Sequence, residues 1–553
     1  MGPKSENRLE TQTWSTPTGK PPPSLTVPGL TILGHPQIQR VGERAALLDL
    51  SSGREALLSR GEPGFAPPGE SAFRPLAAPY LSRRPWLLQS TAGGGVQLLR
   101  GDSPMSLAAN VAGNVAGNSE PVDSEASFSA AEVDRGVVLL LAGHVVLLLH
   151  RFRPVFPDSL PRYGLVGLSD SLLDLCRQIA RVADLDVPVL LRGASGTGKE
   201  LVASALHSAS SRRDRPFLAL NMGALPASLA AAELFGATRG AYTGAEHARR
   251  GYFRRAHGGT LFLDEIGETP QEVQPLLLRA LESGEVQPLG SEEPARVDVR
   301  VLAATDADLE QAVAAGRFRA PLLHRLGGYA IRLPALRERR DDIGRLFFHF
   351  LREELAAVGE EHRLTDAGPG AQPWPPAAWI ARLAAAPWPG NVRQLRNIAR
   401  SLAIESRGTG KDAAETRLPS AIEDLLYEER PPLEPRSPSG PPSAAPAKTV
   451  YRSPQDVSEE ELLAALAANR WQPRATAHQL GISRPSLYFL LDAFPSTRKA
   501  MDLSREEIAE AGERCGGRLR EMAALLQVSE AGIRRRMKQL GLLSIPQVPP
   551  KPS

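Results

Sequence analysis

The spacing of apolar residues changes along the chain, and each change marks a different kind of element. From Leu25 to Arg151 they come in short runs, LTILG, WLLQS and GVQLLR among them, separated by Gly, Pro and Ser. That pattern predicts an all-β sandwich. The most apolar stretch, Val137 to Leu149, reads VVLLL, AGH, VVLLL. It is too short to span a bilayer, and its break at Gly143 and His144 predicts a β-hairpin. From Tyr163 the helical spacing of SDSLLDLCRQIARVAD alternates with short strands, VPVLL, FLALN, TLFLDE and VRVLAAT, as far as Thr305. Strands alternating with helices predict a parallel sheet covered on both faces. Beyond Pro334 the spacing is helical to about Ser406. PPLEPRSPSGPPSAAPAK, residues 431–448, has nothing to bury and is a linker.

The last hundred or so residues contain a repeat, visible at an offset of 46. Ser458-Glu-Glu-Glu-Leu falls on Ser504-Arg-Glu-Glu-Ile, Ala477-His-Gln-Leu on Ala523-Ala-Leu-Leu, and Ile482-Ser483 on Val528-Ser529. Each half reads as helix, helix, tight turn, helix. Small Ala477 and Ala523 allow close helix packing, and Gly481 permits the positive φ of a turn.

Composition sharpens this division. A chain of 553 residues exceeds one domain several-fold at about 150 residues each, so three or four units are expected. The net charge of +3 is too small for a chain coated in basic groups, so any nucleic-acid contact must be local. Cys176 and Cys515 are far apart and neither has a Cys or His at zinc spacing, which argues against disulfides and metal-thiolate sites. Residues 1–24 lack the apolar core of a signal peptide and place Glu6 where myristoylation needs Ser or Thr. They read as a disordered tail, and the chain as cytoplasmic with no membrane partner.

The chemistry is concentrated in the alternating region. GASGTGKE comprises Gly193, Ala194, Ser195, Gly196, Thr197, Gly198, Lys199 and Glu200, and follows a strand and opens a helix. This is phosphate-loop spacing: glycines wrap backbone N–H groups around the phosphates and Lys199 adds a point charge. Glu200 replaces the usual magnesium-binding Ser or Thr, leaving the metal to phosphates, water and a distant carboxylate. Asp264 and Glu265, 65 residues after Lys199, end the strand TLFLDE. Asp264 would order the magnesium shell, mainly through water, and Glu265 would polarise the attacking water. Alone, either motif is a tight turn or a solvated strand end. Together they point to nucleotide hydrolysis.

Over residues 165–406 the chain resembles the AAA+ ATPase domain of sigma-54-dependent transcriptional activators, the bacterial enhancer-binding proteins. The distinguishing residues are Gly240, Ala241, Tyr242, Thr243, Gly244 and Ala245, preceded by ELFG. They form the family's signature loop with Tyr in place of Phe, and the resemblance implies that this loop touches sigma-54. GRFRAPLLHRL resembles the arginine-finger segment, with Arg319 and Arg325 as candidates and Pro321 where Asp is usual. PWPGNVRQL resembles the sensor II motif, implying that Arg393 reports nucleotide state. Asn221 matches the residue that positions the catalytic Glu, and Thr305 the first sensor, followed by Asp306 where the family has Asn. Fingers supplied between subunits imply a hexameric ring that uses ATP and Mg2+.

The flanking regions carry weaker resemblances. RPLAAPYLSRRPWLLQS resembles the phosphothreonine-binding region of forkhead-associated domains, implying roles for Ser82 and Arg83, with Arg60 as the upstream phosphate ligand and Asn110 as the loop Asn. Pro85 replaces the family's supporting His. The alternative is a sandwich with ordinary surface arginines. The carboxy-terminal repeat resembles the Fis-type helix-turn-helix, implying DNA contacts from Arg484, Ser486 and Tyr488 in the first copy and Arg534, Arg535, Arg536 and Lys538 in the second.

The expected organisation is therefore a multidomain chain. It comprises a disordered tail (1–24), a forkhead-associated-like β-sandwich (25–151), an α/β AAA+ P-loop ATPase (163–334) with a helical lid (335–406), a Pro-rich linker (407–455), two all-α helix-turn-helix units (456–494 and 502–543) and a tail (544–553). The expected function is ATP-driven activation of sigma-54 RNA polymerase holoenzyme from enhancer DNA, under phosphothreonine control. The alternatives are a DNA-bound regulator that keeps the AAA+ fold without activating sigma-54, and a general protein-remodelling ATPase.

Overall fold

The computed structural model describes residues 26–113, 119–154, 160–241, 247–364, 374–407 and 457–469, with shorter stretches and single positions between 476 and 540. Two compact units, 1–433 and 434–553, are considered separately.

The first unit begins with β1 (Val27–Gly34), β2 (Arg44–Ala46), α1 (Leu48–Ser51), β3 (Ala56–Leu58), β4 (Trp86–Ser90) and β5 (Val96–Leu99). It continues with β6 (Leu107–Val111), β7 (Glu120–Pro121), β8 (Glu125–Phe128), α2 (Ala130–Arg135), β9 (Val137–Leu141) and β10 (Val145–Phe152). Two antiparallel sheets result, ordered β2-β1-β10-β9-β6-β7 and β3-β4-β5-β8, around a core that includes Leu30, Leu58, Trp86, Leu98 and Leu139. The expected hairpin is present: Leu141 pairs with Val145, and Ala142 and Gly143 take positive φ at its tip.

The α/β part comprises α3 (Asp170–Val182), β11 (Val189–Arg192), α4 (Lys199–Ser208), β12 (Phe217–Asn221), α5 (Ala227–Phe235), β13 (Gly236–Ala237), β14 (Arg249–Arg250) and α6 (Tyr252–Arg255). After these come β15 (Thr260–Asp264), α7 (Gln274–Ser283), β16 (Glu285–Val286), β17 (Ala295–Arg296), β18 (Arg300–Thr305), α8 (Leu309–Ala314), α9 (Ala320–Leu326) and β19 (Tyr329–Arg332). The four apolar runs read from the sequence are β11, β12, β15 and β18. With β19, which the pattern did not reveal, they form a parallel sheet ordered β12-β15-β18-β11-β19. A lid of α10 (Ile343–Val358), α11 (Ala377–Ala385) and α12 (Asn391–Glu405) follows. Along α10, Ile343, Leu346, Phe347, Leu351 and Leu355 are buried at helical spacing, so one stripe faces the lid core.

The lid and the sandwich share that core. A sandwich sheet ordinarily buries one face and wets the other. Here Leu33, Val138, Val146 and Leu148, on the outer face, pack into one cluster with Phe347, Ile380 and Leu383. A buried ion pair joins Arg44 of β2 to Asp341 at the entrance to α10, and Arg44 Nη2 also donates to the Leu168 carbonyl at 2.9 Å. Sandwich, α/β part and lid meet at this junction.

In the second unit the repeat extends to packing. Val457, Leu462, Ala465, Leu480, Ile482 and Leu487 are buried in one cluster, and Leu503, Ile508, Ala511, Leu526, Val528 and Ile533, their counterparts in the repeat, in another. Ser458 and Ser504 each accept a hydrogen bond from the backbone N–H three residues on, at 3.2 Å in both copies, the pattern of a helix N-cap.

Candidate functional site

β11 lies between β18 and β19, so the loop leaving its carboxyl end opens at the edge of a parallel sheet where ligands bind in such folds. Gly196 and Gly198 take φ of 75° and 100°, a region that favours glycine. Thr197 Oγ1 donates to the Ala194 carbonyl at 2.8 Å and Lys199 Nζ to that of Gly193 at 2.8 Å, while Gly193 N donates to Thr305 O at 3.2 Å. The loop is thus closed on itself with α4 starting at Lys199, and the first-turn amides of a helix are suited to an anion. Ala194, Ser195 and Glu200 are exposed.

Two parallel strands deliver the polar residues. β12 and β15 pair in register with Asn221 opposite Asp264. Glu265, directly after the strand, has φ 53° and ψ 45°, a left-handed conformation costing a non-glycine residue about 1 to 3 kcal/mol, and its N–H donates to Asp264 Oδ1 at 3.0 Å. Asn221 Oδ1 accepts from Ala224 N at 3.1 Å, which orients its amide. Gly223 belongs to this site although the sequence reading passed over it. A Cβ there would lie 2.4 Å from Glu265 Oε2, so the carboxylate rests against a bare backbone. The available signal was a Gly two positions after Asn221. Thr305 is buried and its Oγ1 accepts from Ala307 N at 3.0 Å, whereas Asp306 is exposed.

The lid reaches the phosphate loop through the start of α12. Arg393 Nη1 donates to Ser195 Oγ at 3.1 Å and Val392 N to Gly196 O at 3.0 Å. Asn391, also passed over, is fully buried at φ 51°; its Nδ2 donates to Ser195 O and its Oδ1 accepts from Leu336 N, both at 2.9 Å. Asn is among the few non-glycine residues that tolerate this backbone.

Arg319 and Arg325 flank the start and end of α9, and both are exposed. The Arg325 guanidinium donates twice to Leu281 O, at 3.1 and 2.8 Å, whereas Arg319 fixes only its backbone, N to Gln274 Oε1 at 2.9 Å. Pro321 does not distort the segment. It occupies the first turn of α9, where an N–H would have no helical partner.

Gly240 and Ala241 lie just beyond β13, which pairs with β14 to form the stem of the signature loop. Tyr242, Thr243, Gly244 and Ala245 lie outside the described residues. A Cβ on Gly251 would come within 2.3 Å of Gly236 N, so the chain just after β14 lies closer to β13 than a side chain allows.

In the sandwich, Arg60 N donates to Ser82 O at 2.9 Å, and Ser82 Oγ accepts from Arg84 N at 2.9 Å. The backbone thus joins Arg60 to the segment of Ser82 and Arg83. Support for these loops comes without the missing His: Trp86 Nε1 donates to Met105 O at 3.0 Å and Ser103 Oγ to Arg84 O at 2.7 Å. Asn110 is not a loop residue. It is buried within β6 opposite Val138, so the role expected for it is withdrawn.

Arg484, Ser486, Tyr488, Arg534, Arg535 and Lys538 lie outside the described residues. Arg536 is described, and its Nε donates to Leu503 O at 3.0 Å, which commits part of that guanidinium to packing within the repeat.

Comparison with known proteins separates a central domain from a lid at a similar point, but the lid profile runs on into residues read as linker. The sigma-54 interaction domain profile matches residues 165–332, and the AAA+ ATPase lid domain profile residues 337–430. The chain is 42% identical over 334 residues to the transcriptional regulatory protein ZraR of Salmonella typhimurium, covering 60% of this chain and 68% of that protein. It is 48% identical over 248 residues to the DNA-binding transcriptional regulator NtrC of Escherichia coli, spanning 45% of this chain and about half, 51%, of that relative. Among solved structures, NtrX of Brucella abortus in complex with ADP aligns at 28% identity over 69% of this chain and 70% of its own, with a TM-score of 0.41.

Proposed function

Since the chain belongs to the family of sigma-54-dependent transcriptional activators, we propose that it hydrolyses ATP to remodel the closed promoter complex of sigma-54 RNA polymerase holoenzyme into the open one. The observation that carries this reading is the convergence on one sheet edge of the Lys199 loop, the Asp264–Glu265 strand end and the lid residues Asn391 and Arg393.

Among the described residues no cluster of three or more His, Cys, Asp or Glu could hold a metal alone. Asp264 offers a hard carboxylate oxygen beside the loop, which suits magnesium completed by phosphates and water. When bound, the metal would neutralise charge on the phosphates. Lys199 and the loop amides would hold the β- and γ-phosphates. Glu265, positioned with Asn221, would orient the attacking water, and Arg393 would sense the γ-phosphate. Arg319 is the better finger because its guanidinium has no partner among the described residues, whereas that of Arg325 is tied to Leu281. A finger acting between subunits is worth about 10³ to 10⁵ in rate, so hydrolysis should require a ring, by family resemblance a hexamer.

The loop of Gly240 to Ala245 would carry the motion to sigma-54. The duplicated carboxy-terminal units would bind enhancer DNA, and Arg60, Ser82 and Arg83 would recognise a phosphothreonine protein. The proposed setting is the cytoplasm; among the described residues no helix is long and apolar enough to cross a membrane.

Open-complex formation with purified sigma-54 holoenzyme tests the whole. ATP-dependent opening by the wild type, lost in Thr243→Ala while ATP turnover persists, is the expected result. Turnover without opening in the wild type would favour a DNA-bound regulator that no longer activates sigma-54.

A further inference from the structure

Where the sandwich, the start of α3 and the segment entering α10 meet, they border a partly open cavity of about 130 Å³. Its walls carry four carboxylates and four arginines, and the pairing between them is uneven. Each carboxylate on the wall already has a cationic partner: Asp134 with Arg151 at 3.3 Å, Asp170 with Arg153 at 3.5 Å, Glu338 with Arg332 at 3.0 Å, and Asp341 with Arg44. Of the arginines on the wall, Arg135, Arg337 and Arg340 have no carboxylate partner among the described residues. Arg340 is buried and donates only to the neutral carbonyls of Ala384 and Ala386, at 2.8 and 2.7 Å. Its burial, with the charge of Arg337 nearby, lowers its pKa to about 10. A buried cation without a counter-charge is costly unless something supplies one.

We infer that this cavity binds a small phosphate-class dianion, inorganic phosphate or a small phosphate monoester, held by Arg135, Arg337 and Arg340. Planar guanidinium forks suit a tetrahedral oxyanion, and the volume admits one such group rather than a nucleotide. The start of α3 adds little, because the Ser169 N–H is already committed to Asp342 Oδ1 at 3.0 Å. Arg135 comes from the sandwich and Arg337 and Arg340 from the lid entrance, so one anion would draw together two parts of the chain. The ligand would then report phosphate status at a place distant in sequence from both the phosphate loop and the Ser82 region.

The test uses the full chain carrying Lys199→Ala and Arg83→Ala, which weaken the two other candidate phosphate sites. Calorimetric titration with inorganic phosphate, at ionic strength held constant with chloride, should show one saturable site. Arg135→Gln with Arg337→Gln should weaken it at least about tenfold, the least expected from losing charge-assisted hydrogen bonds. Both side chains are exposed, so the thermal midpoint without phosphate should hold. A parallel titration with glycerol phosphate separates free phosphate from a monoester, and binding of either keeps the site. No saturable heat with either ligand, or an affinity unchanged in the double variant, would overturn the inference and leave a water-filled structural cavity.

Discussion

Glu265 owes its position to a residue that does no chemistry. Its left-handed backbone swings the carboxylate toward the end of β12, where Gly223 leaves room. Gly223→Ala should therefore displace the carboxylate by a fraction of an ångström to an ångström and reduce ATP turnover by up to about 10²-fold, with nucleotide affinity little changed. Turnover near the wild-type level would show that Gly223 is only a turn residue. His35 makes a different prediction. Its Nδ1 accepts from Gln37 N at 3.0 Å and its Nε2 faces the Leu76 carbonyl at 3.1 Å, so the buried ring is neutral with Nε2 protonated. Burial, assisted by the charge of Arg40, lowers its pKa from 6.5 to about 4. Between those values the unfolded chain binds a proton that the folded one does not. The stabilisation is therefore present above pH 6.5 and declines as pH falls toward 4, by roughly 1.4 kcal/mol per unit. Burial raises the pKa values of Asp341 and Asp342, which acts in the opposite sense, so the measurement is a difference. Urea midpoints of wild type and His35→Gln should converge on acidification, and parallel profiles would refute the assignment. The placement of Lys199 at a helix start and of Asp264 and Glu265 at a strand end was legible because glycines and an apolar run mark those boundaries in the sequence. Gly223 and Asn391 were not, since what matters at both is a close approach or a backbone angle, which only tertiary contacts reveal.

Among the elements, the stem of the signature loop is set by two glycines. Gly236 in β13 and Gly251, just after β14, approach so closely that a Cβ on Gly251 would strike backbone, which cannot rotate aside. Gly251→Ala should splay the stem and abolish polymerase activation, while ATP turnover stays within a few-fold of the wild type. Activation that survives the substitution would show that stem geometry does not carry the coupling. Four strands of the parallel sheet were evident as apolar runs, whereas β19 was hidden because YAIR is short and follows Gly327 and Gly328. Asn110 misled for the converse reason. A polar residue amid Ala and Val suggests a loop, but strand pairing with β9 had already claimed it. The hairpin β9–β10 was legible down to its turn, yet its unbroken apolar character carried a further message. Alternation would have meant one wet face, and its absence meant that both faces are covered.

Over the whole molecule, what covers the second face is the lid. Ile380 of α11 packs near Gly34 of β1, where a Cβ on that glycine would lie 3.2 Å from the Ile380 side chain. Ile380→Ala should lower stability by about 2 to 5 kcal/mol through lost burial and the cavity left behind. Hydrogen exchange should then accelerate in β1 and β10 as well as in the lid. Acceleration confined to the lid would mean that the two parts are stable independently. This shared core also bears on how the protein can be dissected. The sandwich is not a detachable module: cut from its neighbour it would bare Leu33, Val138, Val146 and Leu148, and the remaining fragment would bare α11. Truncating the amino-terminal region to ask whether it restrains or stimulates the ATPase would therefore yield a sticky, partly unravelled remnant whose inactivity says nothing about signalling. Point substitutions at Arg60 or Arg83, which leave the buried seam whole, are the way to put that question.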